Sequence, residues 1–361
     1  MFTKQTSLLF IVCSIFISSF TNCQDDYNSS ENTFIAEEGI FVFNTGNENN
    51  SSNGSLSFID KKNDTVLHHV FMNTNYRSLG MLVQDGVILD NYLYIAISGS
   101  NTIEVVDKNS LKSIRQIQLN STQGSTPRDI ITDGQYIYVS MFSGHVSRIN
   151  PQTLNIDQTI CVGPNPEEMA ISNGYLYVVN SDGLNYQHGY INGKSVSKIN
   201  LTTLHETKIS VGLNPTQIKA DNSGNLLILC MGDYSTTPAS IWKIDTQNIA
   251  TDLKIPATIM TVKGNTLYTI NAPWNTNEIT YKTYDTQSGN LLLSNFINQT
   301  VEAPASLTIH PKNGHIFISS YHLVGEYTSY LTPGYVAEYD ANGIFIQNYE
   351  VGIGPANITF L

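Results

Sequence analysis

The sequence predicts an all-β protein, a seven-bladed β-propeller of four-stranded antiparallel blades, and three observations carry the prediction. The first is self-similarity: segments 79–81, 127–130, 166–169, 215–218, 256–259, 304–307 and 355–358, all but the first opening on proline, recur at about 45 residues, a period typical of repeat architectures. The second is period-2 alternation inside each unit, bounded by Gly, Asn, Asp and Pro and without helical periodicity, which is the mark of half-buried antiparallel strands. The third is a mismatch between the two ends of the array, described below.

Each marked segment opens a short first strand. A tight polar turn follows, such as Asp133-Gly134, Asn173-Gly174 or Asn313-Gly314, and then an aromatic and β-branched second strand, such as Tyr92-Leu93-Tyr94-Ile95 or Tyr175-Leu176-Tyr177-Val178. The third strand ends in Val106-Asp107, Ile149-Asn150, Ile199-Asn200, Ile244-Asp245 or Tyr339-Asp340, and a turn leads to the fourth. Four strands per repeat of this length make propeller blades. The first unit begins at Ile40-Phe41-Val42-Phe43 without a preceding strand, and its fourth strand is expected to run from Val66 to Phe71. Residues 357–361 form a strand without a blade. The C-terminal strand is therefore expected to join the first blade, closing the ring and covering an exposed edge.

Residues 1–22 read as an export signal, with Lys4 ahead of an apolar run from Leu8 to Phe20. A run this short falls below the about 20 residues of a membrane-spanning helix. Residues 23–33 read as a tether and 34–361 as the propeller. Of four cysteines, Cys13 falls in the signal and Cys23 at its end, which leaves Cys161 and Cys230 in non-adjacent repeats. Both are expected to be free, buried thiols. Eighteen basic residues against 30 acidic give a net charge of −12, which argues against nucleic acid and against adhesion to anionic lipid.

Chain direction places the second-to-third-strand loops on the same rim as the connections between blades. The long loops, 44–55, 180–195, 231–239, 271–279 and 320–335, all belong to that class. Loops of this length in a compact domain are usually functional or disordered, and 47–53, rich in Asn and Ser, is expected to be merely flexible. The others concentrate aromatics. The candidate ligand-binding residues are Tyr186, Tyr190, Tyr234, Trp274, Tyr321 and Tyr330 on the loops, with Arg77, Arg128, Glu167 and Gln217 expected where the first strands enter the central channel. Tyr and Trp give large contact area at low rotamer cost, and a few polar groups fix orientation.

No catalytic, metal or cofactor motif is visible. His68-His69 lies in the expected outermost strand of the first blade, and neither cysteine has the surroundings of an activated nucleophile. The sequence has no phosphate loop and no nucleophile elbow. Glu167, Asp233, Glu278 and Glu326 are the carboxylates a spatial cluster would draw on.

Tyr177-Val178-Val179-Asn180 and Tyr138-Val139-Ser140-Met141, with Val162-Gly163 ahead of Pro166 and Val211-Gly212 ahead of Pro215, resemble the YVTN or YncE-like propeller repeat over essentially all of 34–361. Cys23 behind its apolar run resembles a lipoprotein processing site, although Asn22 departs from the usual small residue. Gln24-Asp25-Asp26 resembles the acidic tag of Bacteroidetes surface lipoproteins. These resemblances imply an outer-membrane lipoprotein at the cell surface, anchored through the lipid on Cys23 alone and monomeric by itself. They also imply ligand capture of the BtuG type, with a corrinoid (vitamin B12) as ligand and a TonB-dependent outer-membrane transporter as partner. Two alternatives stay open: a surface module for a protein or glycan, and a lactonase-like hydrolase.

Overall fold

The computed structural model describes residues 34–273 and 278–361. They form seven four-stranded antiparallel sheets in a propeller ring. Blades two to seven each start with their inner strand: Val83–Leu89, Pro127–Thr132, Pro166–Ser172, Pro215–Ala220, Ile259–Lys263 and Ala303–Ile309. Blade one runs outward from Pro355–Phe360 through Gly39–Asn44 and Ser55–Asp60 to Thr65–Leu67. Its inner strand is thus the C-terminal one, antiparallel to Gly39–Asn44 with Ile40 opposite Phe360 and Val42 opposite Ile358, as the ends of the repeat predicted.

The apolar interior is divided into seven clusters, each shared by two neighbouring blades. Phe41 and Phe43 of blade one pack with Leu93 and Ile95 of blade two. Tyr94, facing the other way, packs with Ile137 and Val139 of blade three. The seventh cluster joins Phe317 and Val336 of blade seven to Ile40, Val42 and Ile358 of blade one. Second strands are consequently buried on both faces; Ile137–Met141 and Leu226–Cys230 are buried throughout. This corrects the half-buried expectation, because each blade is covered on both sides by its neighbours. Blades one and two approach so closely that a Cβ at Gly86 would overlap the Phe43 ring.

Two further expectations are corrected. The outer strand of blade one stops at Leu67, and Val70–Asn75 is a short α-helix. Its Val70 and Phe71 are buried, while Asn75 bonds Leu111 O and Ser113 N of blade two. His68 and His69 are exposed between strand and helix. Cys161, expected to be buried, ends an outer strand and is exposed, whereas Cys230 is buried, and burial pushes the Cys230 thiol up. A thiol reagent is expected to label Cys161 in the folded ring and to spare Cys230 until denaturant is added. Mass spectrometry of the labelled chain reads this directly, and fast native labelling of Cys230 would contradict the packing.

Candidate functional site

The site is built where the inner strands begin. Pairing between inner and second strand shifts register near the first inner-strand residue in blades one to five and seven. Proline at that first residue in blades one, three, four and five suits a strand start, where no ladder N–H is needed. A bulge there re-aims the side chain that follows. The first residues inside these irregularities are Gln84, Arg128, Glu167 and Thr216 in blades two to five, but Ala305 and Ala356 in blades seven and one. This position is therefore polar in blades two to five and alanine in blades seven and one.

Arg128 Nε donates to Glu167 Oε2 at 2.9 Å, and the guanidinium lies 4.9 Å over the Phe142 ring. The pair is partly solvated, with side chains 32% and 16% exposed, and such pairs contribute about 0–1 kcal/mol. Both groups can be redirected to a ligand at small cost. Tyr190 and Tyr234, from the loops of blades four and five, meet edge-on at 6.1 Å between ring centroids. Burial raises the Tyr234 phenol pKa, keeping it a neutral hydrogen-bonding group. Tyr234 is still 63% exposed and Tyr186, in the 3-10 segment Gly183–His188, 61%.

A second aromatic pair comes from blade seven. Tyr321 and Tyr330 lie 5.0 Å apart, and the Tyr330 carbonyl accepts Asn47 Nδ2 of blade one at 2.7 Å. The segment expected to be merely flexible is thus folded: Asn47 caps the 3-10 turn Glu48–Asn50 and ties two loops together. Beside them His322 bridges Glu302 (Nδ1 to Oε1, 3.2 Å) and Glu350 (Nε2 to Oε2, 3.1 Å). Desolvation alone would lower its pKa, but the bonds to Glu350 and Glu302 outweigh it and raise it. An open cleft of about 470 Å³ between blades six and seven is lined by Glu278, Ile279, Thr280, Thr300, Val301 and Glu302.

Two candidates are placed differently from expectation. Arg77 does not enter the channel: it is held by buried Glu104 at 2.6 Å and by Ser113 at 3.0 Å, stacked 4.8 Å over Phe71, at the outer strands of blade two. Gln217 lines the inner wall but accepts Met260 N at 2.8 Å through Oε1, so it braces blade six. Trp274 lies outside the described residues, as do Cys23 and the export signal. Among the described residues no group of three His, Cys, Asp or Glu converges in a geometry that could hold a metal ion.

The Gln217 bond belongs to a pattern that sequence reasoning missed. Asp85 Oδ2 accepts Ile130 N at 3.4 Å, Asp129 Oδ2 accepts Met169 N at 2.8 Å and Glu168 Oε2 accepts Ile218 N at 2.7 Å. In each case an inner-strand side chain holds the inner strand of a neighbouring blade. The signal was present as Asp, Asp, Glu and Gln two places after Val83, Pro127, Pro166 and Pro215.

Similar backbones occur in solved structures. They include a hydrazine synthase chain of Kuenenia stuttgartiensis (19% identity, TM-score 0.47, covering 61% of this chain and 64% of that one). They also include the computationally designed Ika8 protein (11%, 0.51, 76% and 88%) and the dihydro-heme d1 dehydrogenase NirN in complex with DHE (10%, 0.56, 89% and 75%). The chain thus spans less than two thirds of the hydrazine synthase chain, and likeness at these identities shows the fold alone. No curated protein matches the sequence. Residues 38–352 match the family described as "Domain of unknown function (DUF5074)", and the chain belongs to that family.

Proposed function

We propose that the protein captures a ligand at the mouth of the channel on its loop face and passes it to a membrane partner. The observation that carries this is the weakly held Arg128–Glu167 pair at the inner-strand starts of blades three and four, with exposed Tyr186, Tyr234 and Tyr330 on the second-to-third-strand loops of blades four, five and seven. Polar residues at the inner-strand starts of blades two to five, alanines at those of blades seven and one, and aromatic loops suit a broad ligand with both amide and apolar edges. A corrinoid has that chemistry and is the ligand the YncE-like resemblance names. In the same reading residues 1–22 direct export and Cys23 carries a lipid that holds residues 34–361 on the outer membrane beside a TonB-dependent transporter.

Isothermal titration with cyanocobalamin tests it. One-to-one binding is expected, and the triple variant Tyr190→Ala, Tyr234→Ala, Tyr330→Ala is expected to weaken it on the order of 100-fold, if each truncation costs about 1 kcal/mol. Binding that survives the triple variant unchanged would place the site elsewhere; no heat from the wild type removes the corrinoid. The second reading, a surface module for a protein or glycan, is favoured by the blade-seven loop, where Val324 is 64%, Tyr327 80% and Leu331 60% exposed. Such a projecting apolar patch fits a partner surface better than a small molecule.

A further inference from the structure

The long loop of blade seven is held at its root by one histidine. His322 Nδ1 lies 3.2 Å from Glu302 Oε1, and Nε2 lies 3.2 and 3.1 Å from the two Glu350 carboxylate oxygens. The glutamates come from opposite edges of the blade: Glu302 just precedes the inner strand Ala303–Ile309, and Glu350 lies on the outer strand Phe345–Ile353. The imidazole leans on Tyr335 of the third strand, 4.8 Å between ring centroids. A carboxylate oxygen only accepts, and a neutral imidazole has one N–H to give. Both contacts are hydrogen bonds only when the ring carries two protons, so the geometry is that of an imidazolium. What this root carries is a small hairpin. Leu323–Val324 pairs with Tyr327–Thr328 across the turn Gly325-Glu326. Ser329 N closes its base on His322 O at 2.8 Å, and Leu323 N donates to Glu302 Oε2 at 2.7 Å. Val324 and Tyr327 at its tip are exposed.

We propose that His322 is a pH-operated latch on the blade-seven hairpin. With the ring doubly protonated, both glutamates grip it, and the base of the hairpin is fixed across the blade from inner to outer strand. When one ring proton leaves to solvent, one nitrogen keeps its N–H bond while the other turns a lone pair toward a carboxylate, which repels it. Glu302 and Glu350 then face each other without a cation between them. The hairpin is latched in acid and loosens as pH rises. The latch stands on contacts within blade seven and does not depend on which ligand the mouth takes.

The groups around the ring are carboxylates and neutral phenols. Among the described residues His322 is the one cationic partner of Glu302 and of Glu350, and no lysine or arginine follows Lys312 in the sequence. The third strand contributes Tyr335, whose hydroxyl accepts Glu302 N at 3.0 Å and which burial keeps neutral by raising its pKa. Burial likewise raises Tyr321, the residue before His322. The hairpin turn adds Glu326, and Glu278 lines the cleft that Glu302 also lines. Both His322 pairs are partly solvated, which makes the latch weak and reversible. Desolvation alone would lower the His322 pKa, but the bonds to Glu350 and Glu302 and their charges outweigh it and raise it above 6.5. A base raised on folding contributes fully below its unfolded value of 6.5 and loses that contribution as pH rises through the higher folded value.

Nuclear magnetic resonance on the full chain, with nitrogen-labelled histidine and methyl-labelled leucine and valine, tests the latch between about pH 5 and about pH 8. The His322 ring is expected to carry protons on both nitrogens up to a midpoint above 6.5, and the Leu323 and Val324 methyl signals are expected to change with that same midpoint. Glu302→Gln combined with Glu350→Gln removes both acceptor charges and is expected to weaken proton binding at His322 on the order of tenfold. His322→Gln keeps an amide donor with no proton to lose, so its hairpin signals are expected to stay still across the range. Hairpin signals that follow the wild-type profile in His322→Gln overturn the latch, as do wild-type hairpin signals that ignore the His322 midpoint. Should the double variant fail to fold, Glu350→Gln alone serves, and an unchanged His322 midpoint in either variant overturns the latch equally.

Discussion

Removal of residues 356–361 is expected to abolish the stable ring. The strand they form supplies the whole inner edge of blade one. Ile358, 8% exposed, sits in the cluster between blades one and seven. Phe360 packs 5.5 Å from Phe317 and 4.5 Å from His310. Thr359 Oγ1 donates to Gly86 O at 2.6 Å, tying the strand to blade two, and Leu361 N donates to Gly39 O at 3.0 Å. Loss of the Ile358 side chain alone would cost about 2–5 kcal/mol. Loss of the full strand also exposes an apolar sheet edge, and together these approach the 5–15 kcal/mol that typically holds a domain folded. The measurement is thermal unfolding of the truncated chain with its soluble yield. A truncated protein melting within a few degrees of the intact one would show that the ring does not depend on this closure.

Glu338→Ala is expected to cost about 3 kcal/mol, the largest effect predicted for a polar substitution here. Glu338, 1% exposed, receives Lys61 Nζ at 2.7 Å, His315 Nδ1 at 2.8 Å and the Tyr349 hydroxyl at 2.7 Å. Lys61 comes from blade one and the others from blade seven, so the network crosses the same seam as the closing strand. Without the carboxylate, the ammonium and two donors are left without their acceptor, a heavier penalty than the net worth of the pair. Desolvation would raise the Glu338 pKa, but the bonds from Lys61, His315 and Tyr349 outweigh it and hold it below 4.5. Its contribution is therefore present above 4.5 and lost as pH falls through the lower folded value. Chemical denaturation at neutral pH reads the cost, and the acid limb of stability should be shallower in the variant. An unchanged midpoint would show that Lys61 and Tyr349 find water instead.

The ring was legible because propeller blades repeat their turn chemistry, so Asn173-Gly174 and Asn313-Gly314 set the count before any strand is drawn. Closure was legible because an unpaired strand at one end answered a missing one at the other. What failed was local. Val70–Asn75 contains no helical period, yet it is a short helix with Val70 and Phe71 buried and Asn75 bonded to Leu111 and Ser113 of blade two. Arg77 was assigned by chain position alone, whereas its destination was decided by Glu104, a buried carboxylate 27 residues downstream. Half-burial was inferred from alternation, yet alternate residues in a blade face two different neighbours, both apolar. Of the candidate site, the long aromatic loops were legible in the sequence and their contacts were not. The same inner-strand motif, irregular in register between Pro127 and Ile130, carries both Arg128, paired with Glu167, and Asp129, bonded to Met169 N.

The closing strand also sets the order in which this chain can become a finished object. Blades two to seven each complete themselves from contiguous sequence, so they can assemble as the ribosome delivers them. Blade one, among the first to emerge, waits with its inner edge bare until the last strand of the ring arrives more than 300 residues later. Throughout synthesis, the unpaired edge at Gly39–Asn44 is the place where a nascent neighbour or a chaperone would dock.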